Sequence, residues 1–487
     1  VKKRSELAAF PAAQGPHPLE LDGPTMRRMV DLAMDRITHH IATLPTQPLH
    51  ATRGGRKLAR AVREGLPEEG KPFPSLLDHL FRLIPRSLNT ASPGYLAYVP
   101  GGGLFHAAVA DLVADATNRY VGVFIAAPGL VELEANVVRW CAEIVGLPAG
   151  AGGVLTTGGS MANLIAVVTA RHERLPKDFL KGVLYCSREV HHSVVKAALV
   201  AGFPPENIRA IASDAAFRME LPALRAAIAA DRALGRAPFL VVGSAGTTPT
   251  GAVDDLVALA ELAARESLWF HVDAAYGGFF ALTERGRAAM RGIERADSVT
   301  LDPHKGLFLP YGTGALVVRE PAALRRAHAV PASYLPAMQT EDDLIDFCEL
   351  SPELSRDFRG LRVWLPMKMH GAAVFRAALD EKLDLARRAA EALRALPEVE
   401  VVAEPELSLL AFRIRAPGLV GDDLERVQRR VLSAVNQRQR VLLTGTTTHR
   451  GFVLRICVMS FRTHAANLDA CMEDLSLAIR DVLGPND

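Results

Sequence analysis

Through the middle of the chain, short wholly apolar runs alternate with longer amphipathic stretches. Val183-Leu-Tyr-Cys-Ser187, Phe239-Leu-Val-Val-Gly-Ser244, Leu268-Trp-Phe-His-Val272 and Ser298-Val-Thr-Leu301 have the length and composition of buried strands. Arg218 to Leu234 reads as an amphipathic helix, and Asp254-Asp255 caps a further helix beginning at Leu256. Gly153-Val-Leu-Thr-Thr157 runs through Gly158-Gly-Ser160 into a helical stretch reaching Arg171. Strand and helix alternating in this way predict an α/β fold with a mainly parallel central sheet. The flanks differ. Met26, Met29, Val30, Leu32, Met34 and Ile37 form a broad helical stripe, and Leu77 to Leu83 continues the pattern into another helix. From about Met369 onward, one long helix (Ala372 to Leu396) precedes strands at Val399–Val402, Leu407–Arg415 and Phe452–Met459. This predicts a small α+β C-terminal domain. The expected organisation is an N-terminal helical arm over 1–92, a large domain over 93–368 and a small domain over 369–487. Ser92–Gly103 and Val330–Thr340 are broken by Pro, Gly or both and read as loops.

Composition narrows the class. The chain has 487 residues, of which 49% are hydrophobic, enough for a large core. Its 56 basic and 54 acidic residues leave a net charge of +2, which argues against an electrostatic nucleic-acid binder. Five cysteines are scattered without CxxC or metal-ligand spacing, as expected of a reduced, cytoplasmic protein without a metal site. No apolar run approaches the ~18–20 residues that span a bilayer, and the opening Val1-Lys-Lys-Arg-Ser-Glu6 does not read as a secretory leader. No membrane partner is expected.

The candidate chemistry lies at strand ends, where open α/β sheets bind ligands. Asp273 follows the apolar run 268–272, and Lys305 lies 32 residues on (305−273), after the run 298–301. Each residue alone is commonplace. Together they suit pyridoxal 5'-phosphate. The lysine forms a Schiff base with its aldehyde, and the acid pairs with its pyridinium nitrogen and keeps the ring an electron acceptor. Gly158, Gly159 and Ser160 stand at a helix start, where free N–H groups and the helix dipole attract a phosphate. A plain helix cap would use the same residues. A nucleotide loop is disfavoured, because neither GxGxxG nor GxxxxGK[ST] is present. His191 and His192 fall at a strand-to-helix junction, where a flat imidazole can stack on a pyridine ring. Ala275 is small enough for that ring to lie flat against the backbone. His271 is either a second ring-edge contact or strand packing, with packing favoured.

Between about Pro93 and Thr463 these residues resemble the group II pyridoxal-phosphate-dependent amino-acid decarboxylases, which include aromatic-L-amino-acid, glutamate and tyrosine decarboxylases. The segment Gly158-Gly-Ser-Met-Ala-Asn163 is similar to the family's Gly-Gly-Ser-x-Ala-Asn, and Asp302-Pro-His-Lys-Gly306 to its lysine motif. The resemblance implies the fold-type I transferase fold and a homodimer whose N-terminal arm packs on the partner subunit. It implies cofactor contacts from Gly159, Ser160, His191 (stacking, with His192 in reserve), Thr248 (ring oxygen), Asp273, Ala275, Ser298 (phosphate), His304 and Lys305. Tyr98, Val99, Pro100, Val121 and Val123 would line the substrate side-chain pocket, whose apolar character favours an aromatic or larger aliphatic L-amino acid. Tyr334, on a loop brought over the substrate, would return a proton to carbon after CO2 leaves. An arginine within Ser355–Trp364 would meet phosphate or the substrate carboxylate, or simply pair at the surface. The family often has asparagine where this chain has Asp302, and its phosphate contact is not transferred to an aspartate. The implied reaction is decarboxylation to an amine. The rivals are a decarboxylation-dependent aldehyde synthase, a lyase or a transaminase on the same fold, or an inactive paralogue serving as a scaffold.

Overall fold

The computed structural model describes residues 17, 19–330, 338, 341 and 343–484. Its centre is a seven-stranded sheet of β1 (Gly152–Thr156), β2 (Gly182–Ser187), β3 (Ile208–Ile211), β4 (Ala237–Ser244), β5 (Trp269–Asp273), β6 (Ser298–Leu301) and β7 (Gly314–Val318). The spatial order is β1-β7-β6-β5-β4-β2-β3. The strands from β3 to β6 pair in parallel, while β7 runs antiparallel to both β6 and β1. The apolar runs anticipated from sequence became β2, β4, β5 and β6, buried almost throughout. Helices on both faces cover them, which is why the strands lack polar alternation. β3 and β7 were not anticipated. β3 is only four residues long and mostly half-buried.

Register decides what the sheet presents. Ser244 on β4 pairs with Asp273 on β5, and Asp273 pairs with Thr300 on β6. Three polar side chains therefore stand side by side at the C-terminal ends of parallel strands, above a core containing Val241, Val272 and Val299.

A second sheet comprises β8 (Val399–Ala403), β9 (Leu409–Ile414), β10 (Thr444–Thr448) and β11 (Gly451–Cys457), in the order β10-β11-β9-β8 and wholly antiparallel. One face packs on the helices Gly421–Gln437 and Ala465–Leu483 through residues such as Phe412, Val431 and Leu475. The other meets the large domain, where Ala411 and Val453 join Phe217 and Ala252. The connecting segment is two helices in succession. It runs Gly360–Arg394 and kinks at Gly371, whose φ of 73° is left-handed. The second helix thus begins at Ala372, where the sequence predicts it, and the expected boundary between 368 and 369 falls in the last turn of the first. Tyr95 bridges to Leu442, and Leu96 joins the C-terminal core, so the chain just after position 92 is anchored on the small sheet.

The N-terminal helices Gly23–Thr43 and Phe73–Leu83 are loosely held. The first starts at the Asp22 cap, whose carboxylate accepts from the Thr25 amide at 2.7 Å. Met26, Leu76, Leu80 and Ile84 nevertheless remain exposed. Among the described residues no helix is long and apolar enough to cross a membrane.

Candidate active site

The strand ends carry a continuous chain of hydrogen bonds in which each donor and acceptor role follows from the next. Trp269 Nε1–H can only donate, and it gives its proton to Ser298 Oγ at 2.8 Å. The Ser298 hydroxyl then donates to His271 Nδ1, also at 2.8 Å. The proton of His271 therefore sits on Nε2, which faces Asn163 Oδ1 at 3.1 Å. Thr300 Oγ1 donates to the same oxygen at 2.7 Å. The Asn163 amide is thereby oriented. Its two N–H bonds reach Asp273 Oδ2 at 3.0 Å and Ser193 Oγ at 2.8 Å. Ser193 can then donate to His191 Nδ1 at 2.7 Å, which leaves the Nε2 proton on the neutral His191 ring. Burial lowers the His271 pKa to about 4, against the pull of Asp273, so the relay is neutral at ordinary pH. Burial also lowers the His191 pKa, with Asp273 opposing.

Asp273 rises from this support into a cavity of about 260 Å3. Its Oδ1 accepts from the Ala275 amide at 3.2 Å. On another wall, the helix Gly159–Arg174 begins directly after β1. Gly158 has a φ of +151°, a region few side chains tolerate. A Cβ on Gly159 would lie 3.1 Å from the Ala275 Cβ and as close to an Asp302 oxygen, so glycine is what lets the backbone approach here. Lys305 closes the third side. Its Nζ lies 2.9 Å from Asp302 Oδ2. Burial disfavours the ammonium, but Asp302 outweighs it and raises the Lys305 pKa. His304 Nδ1 reaches the Thr313 carbonyl at 2.7 Å, and Nε2 lies 3.7 Å from Asp302 Oδ2. Burial lowers the His304 pKa, with Asp302 opposing.

Gly159, Ser160, His191, Thr248, Asp273, Ala275, His304 and Lys305, all singled out from sequence, line this one cavity. Ser298 does not. It is fully buried on β6 and committed to Trp269 and His271, so its phosphate role is replaced by one in the relay. His271 is not plain packing either, since both ring nitrogens are hydrogen-bonded. Tyr98, Pro100, Val121 and Val123 are not brought to this cavity. Val121 and Val123 are 0% and 3% exposed because they pack inward beside the large core, whereas Tyr98 is 56% exposed with a left-handed φ of 52°. Tyr334 lies outside the described residues. The arginines of 355–364 turn to neighbouring acids. Arg356 pairs with the fully buried Glu134, Arg359 with Glu353 and Arg362 with Asp111.

Sequence reasoning passed over three groups. Asn163 is the branch point of the relay, and its place in Gly-Gly-Ser-Met-Ala-Asn was the available signal. Ser244 lines the cavity with a buried hydroxyl that lacks a partner among the described residues. Arg455 on β11 is 4% exposed, yet its Nε and Nη2 also lack partners there. Burial lowers its pKa, and Cys457, Tyr276 and Tyr98 lie within electrostatic reach. Only the register of β11 against β9 brings it to this domain interface, and no local motif announces it.

The cavity suits pyridoxal phosphate on its own terms. It offers a lysine amine, a carboxylate on a neutral support, a small floor residue in Ala275, an anion-attracting helix start, and a Ser244 hydroxyl awaiting a partner. Fold and site together define a fold-type I pyridoxal-phosphate enzyme. Residues 56–415 match the pyridoxal-dependent decarboxylase conserved domain. The chain is 35% identical to an aromatic-L-amino-acid decarboxylase of Bacillus atrophaeus over 91% of this chain and 93% of that protein. Among solved structures it resembles an Oryza sativa TDC with PLP and tryptamine (TM-score 0.91, 27% identity, 95% and 99% of the two chains). It also resembles a Rhodiola rosea 4-hydroxyphenylacetaldehyde synthase (TM-score 0.89, 25% identity, 96% and 100%). The chain belongs to the pyridoxal-dependent decarboxylase family, and it is an amino-acid decarboxylase that uses pyridoxal phosphate.

Proposed function

We propose that this enzyme converts an aromatic L-amino acid to its amine and CO2, acting as a cytoplasmic homodimer. The observation that carries the reaction is the convergence of Lys305, Asp273 and the Gly158–Ser160 helix start on one cavity. The aromatic preference is supported by similar proteins named as aromatic-L-amino-acid, tryptophan and tyrosine decarboxylases. The exposed apolar residues of the N-terminal helices support the dimer, with 1–92 as its arm and 93–368 and 369–487 as the two domains. Five unpaired cysteines support a reducing compartment.

Bound pyridoxal phosphate supplies the electron sink for the bond that breaks. The residues decide which bond that is, since only a bond held perpendicular to the ring plane can feed electrons into it. Lys305 anchors the cofactor, with the helix start at Gly159 and Ser160 holding its phosphate. Asp273 keeps the ring nitrogen protonated, and Asn163 holds that carboxylate in place. Thr248 and Ser244 supply hydroxyls at the ring edge. His191, its tautomer set through Ser193, presents a flat face and an Nε2 proton. Arg455 is a buried cation with unmet N–H groups, and an amino-acid carboxylate entering past Tyr98 is an anion that satisfies it. Tyr98, Pro100, Val121 and Val123 shape the side-chain pocket at the rim or from behind it. Tyr334 returns the proton to carbon.

The test is product analysis of the purified holoenzyme with tryptophan, tyrosine, phenylalanine, DOPA and glutamate. Amine and CO2 from an aromatic substrate, with little from glutamate, is the expected result. Aldehyde and hydrogen peroxide instead of amine would move the enzyme to the aldehyde-synthase reaction named in its Rhodiola relative.

A further inference from the structure

Asp302 lies against the Gly159 helix start, the wall of the cavity suited to a phosphate. Its side chain is 3% exposed, and its two oxygens lie 3.1 and 3.4 Å from where a Cβ on Gly159 would be. It lines the same cavity as Gly158, Gly159 and Ser160. Oδ2 is occupied by the Lys305 ammonium, but Oδ1 is buried without a hydrogen-bond partner among the described residues. A buried carboxylate oxygen left without a donor beside a helix start is an unusual thing to keep. It becomes costlier once the cofactor binds. Lys305 would then hold the cofactor rather than Asp302, and the helix start would hold a phosphate of nearly two negative charges on the same cavity as the carboxylate.

We infer that Asp302 is a phosphate ligand in its acid form, donating an O–H hydrogen bond from Oδ1, so that cofactor uptake is coupled to uptake of a proton. The charged and titratable groups around it frame this reading. Lys305 and His304 face Asp302 from its own turn. His191 at the start of its helix and Asp273 on β5 act at longer range, as does Cys457 on β11 through Lys305. Of these, only Lys305 makes a close ion pair with Asp302, and it is the group that the cofactor removes. The proton goes from solvent onto the carboxylate, and no bond other than the O–H is formed or broken at Asp302. The inference rests on the cofactor assigned to this cavity.

The experiment compares wild type with Asp302→Asn. Both apoproteins are titrated with pyridoxal 5'-phosphate across about pH 6.5 to 8.5, following the cofactor absorbance band, and calorimetry in buffers of different ionisation enthalpy counts the protons taken up. Wild-type affinity should weaken by up to about tenfold more per pH unit than that of the amide variant, and wild type should take up about one more proton per site. Parallel pH profiles with equal proton counts overturn the inference while leaving the cofactor assignment intact. Absence of a cofactor band in both proteins overturns both. A measurement on wild type alone guards against a misfolded variant. A wild-type affinity that does not fall between about pH 6.5 and 8.5, with no net proton taken up on cofactor binding, overturns the proposal without recourse to the variant.

Discussion

At the floor of the cavity, the relay from Trp269 to His191 Nδ1 is linked by hydrogen bonds within this chain at distances of 2.7–3.1 Å. At the mouth proposed for it, beyond the residues that line the cavity, Tyr98 is 56% exposed, and the Arg455 guanidinium lacks partners on two nitrogens among the described residues. The floor rests on parallel strand ends whose register is locked by apolar burial on both faces. The proposed mouth combines a loop and a domain interface. The difference separates two jobs. Holding and tuning the cofactor needs a rigid environment already satisfied within the chain. Recognising a substrate needs groups that stay unsatisfied until something binds.

Predictions follow this division, and the largest concern the floor. Lys305→Ala should abolish the cofactor's lysine-linked absorbance and lower turnover by at least about a thousandfold, or ~4 kcal/mol in the barrier. Absorbance and amine-release assays check both, and near-normal turnover would refute the site. Asn163→Ala strands Asp273 Oδ2 and the His271 Nε2 proton in a buried site. Each orphan costs about 1–3 kcal/mol, so for a chain of this length the melting temperature should fall by roughly 2–6 °C. An unchanged melting temperature and cofactor spectrum would show that the relay carries no weight.

His271 gives a pH test of the same floor. Its folded pKa of about 4 lies below the ordinary 6.5, so between those values the unfolded chain binds the proton that the folded one refuses. Stability therefore rises with pH across this window, and below it the protein is weaker by about 3 kcal/mol. His328 is lowered to about 4 as well and acts with the same sign. Replacing His271 with Gln should flatten the slope of stability against pH between about 4 and 6.5, as read by chemical denaturation. An unaltered slope would place the effect on other groups. The smallest effect belongs to the mouth. Tyr98→Phe should leave cofactor affinity unchanged and alter the substrate KM by less than about threefold, because its hydroxyl is solvated before binding. A large loss of cofactor would erase the distinction between floor and mouth.

The corrections divide along the same line. The family resemblance implied a phosphate contact for Ser298. The hydroxyl instead points among buried β5 side chains, because β6 pairs His271 with Ser298. Val121 and Val123 are buried away from the cavity lining, so any part they take in a substrate pocket is from behind it. The loop anticipated at 92–103 does carry Tyr98, but its contacts reach Thr444, 346 positions away.

Sequence alone was enough for the alternation of strand and helix, for the acid, the lysine and the glycine-rich helix start, and hence for the cofactor and the family. These are local signals. Apolar runs bury themselves wherever the chain folds, and a glycine before a helix keeps its backbone properties in any context. The tertiary structure alone decided the relay through Asn163, the exposure of Tyr98, the unmet N–H groups of Arg455 and the placing of Asp302 against Gly159. Each of these depends on strand register and on contacts between residues more than a hundred positions apart, where an offset of one residue turns a side chain to the opposite face of the sheet.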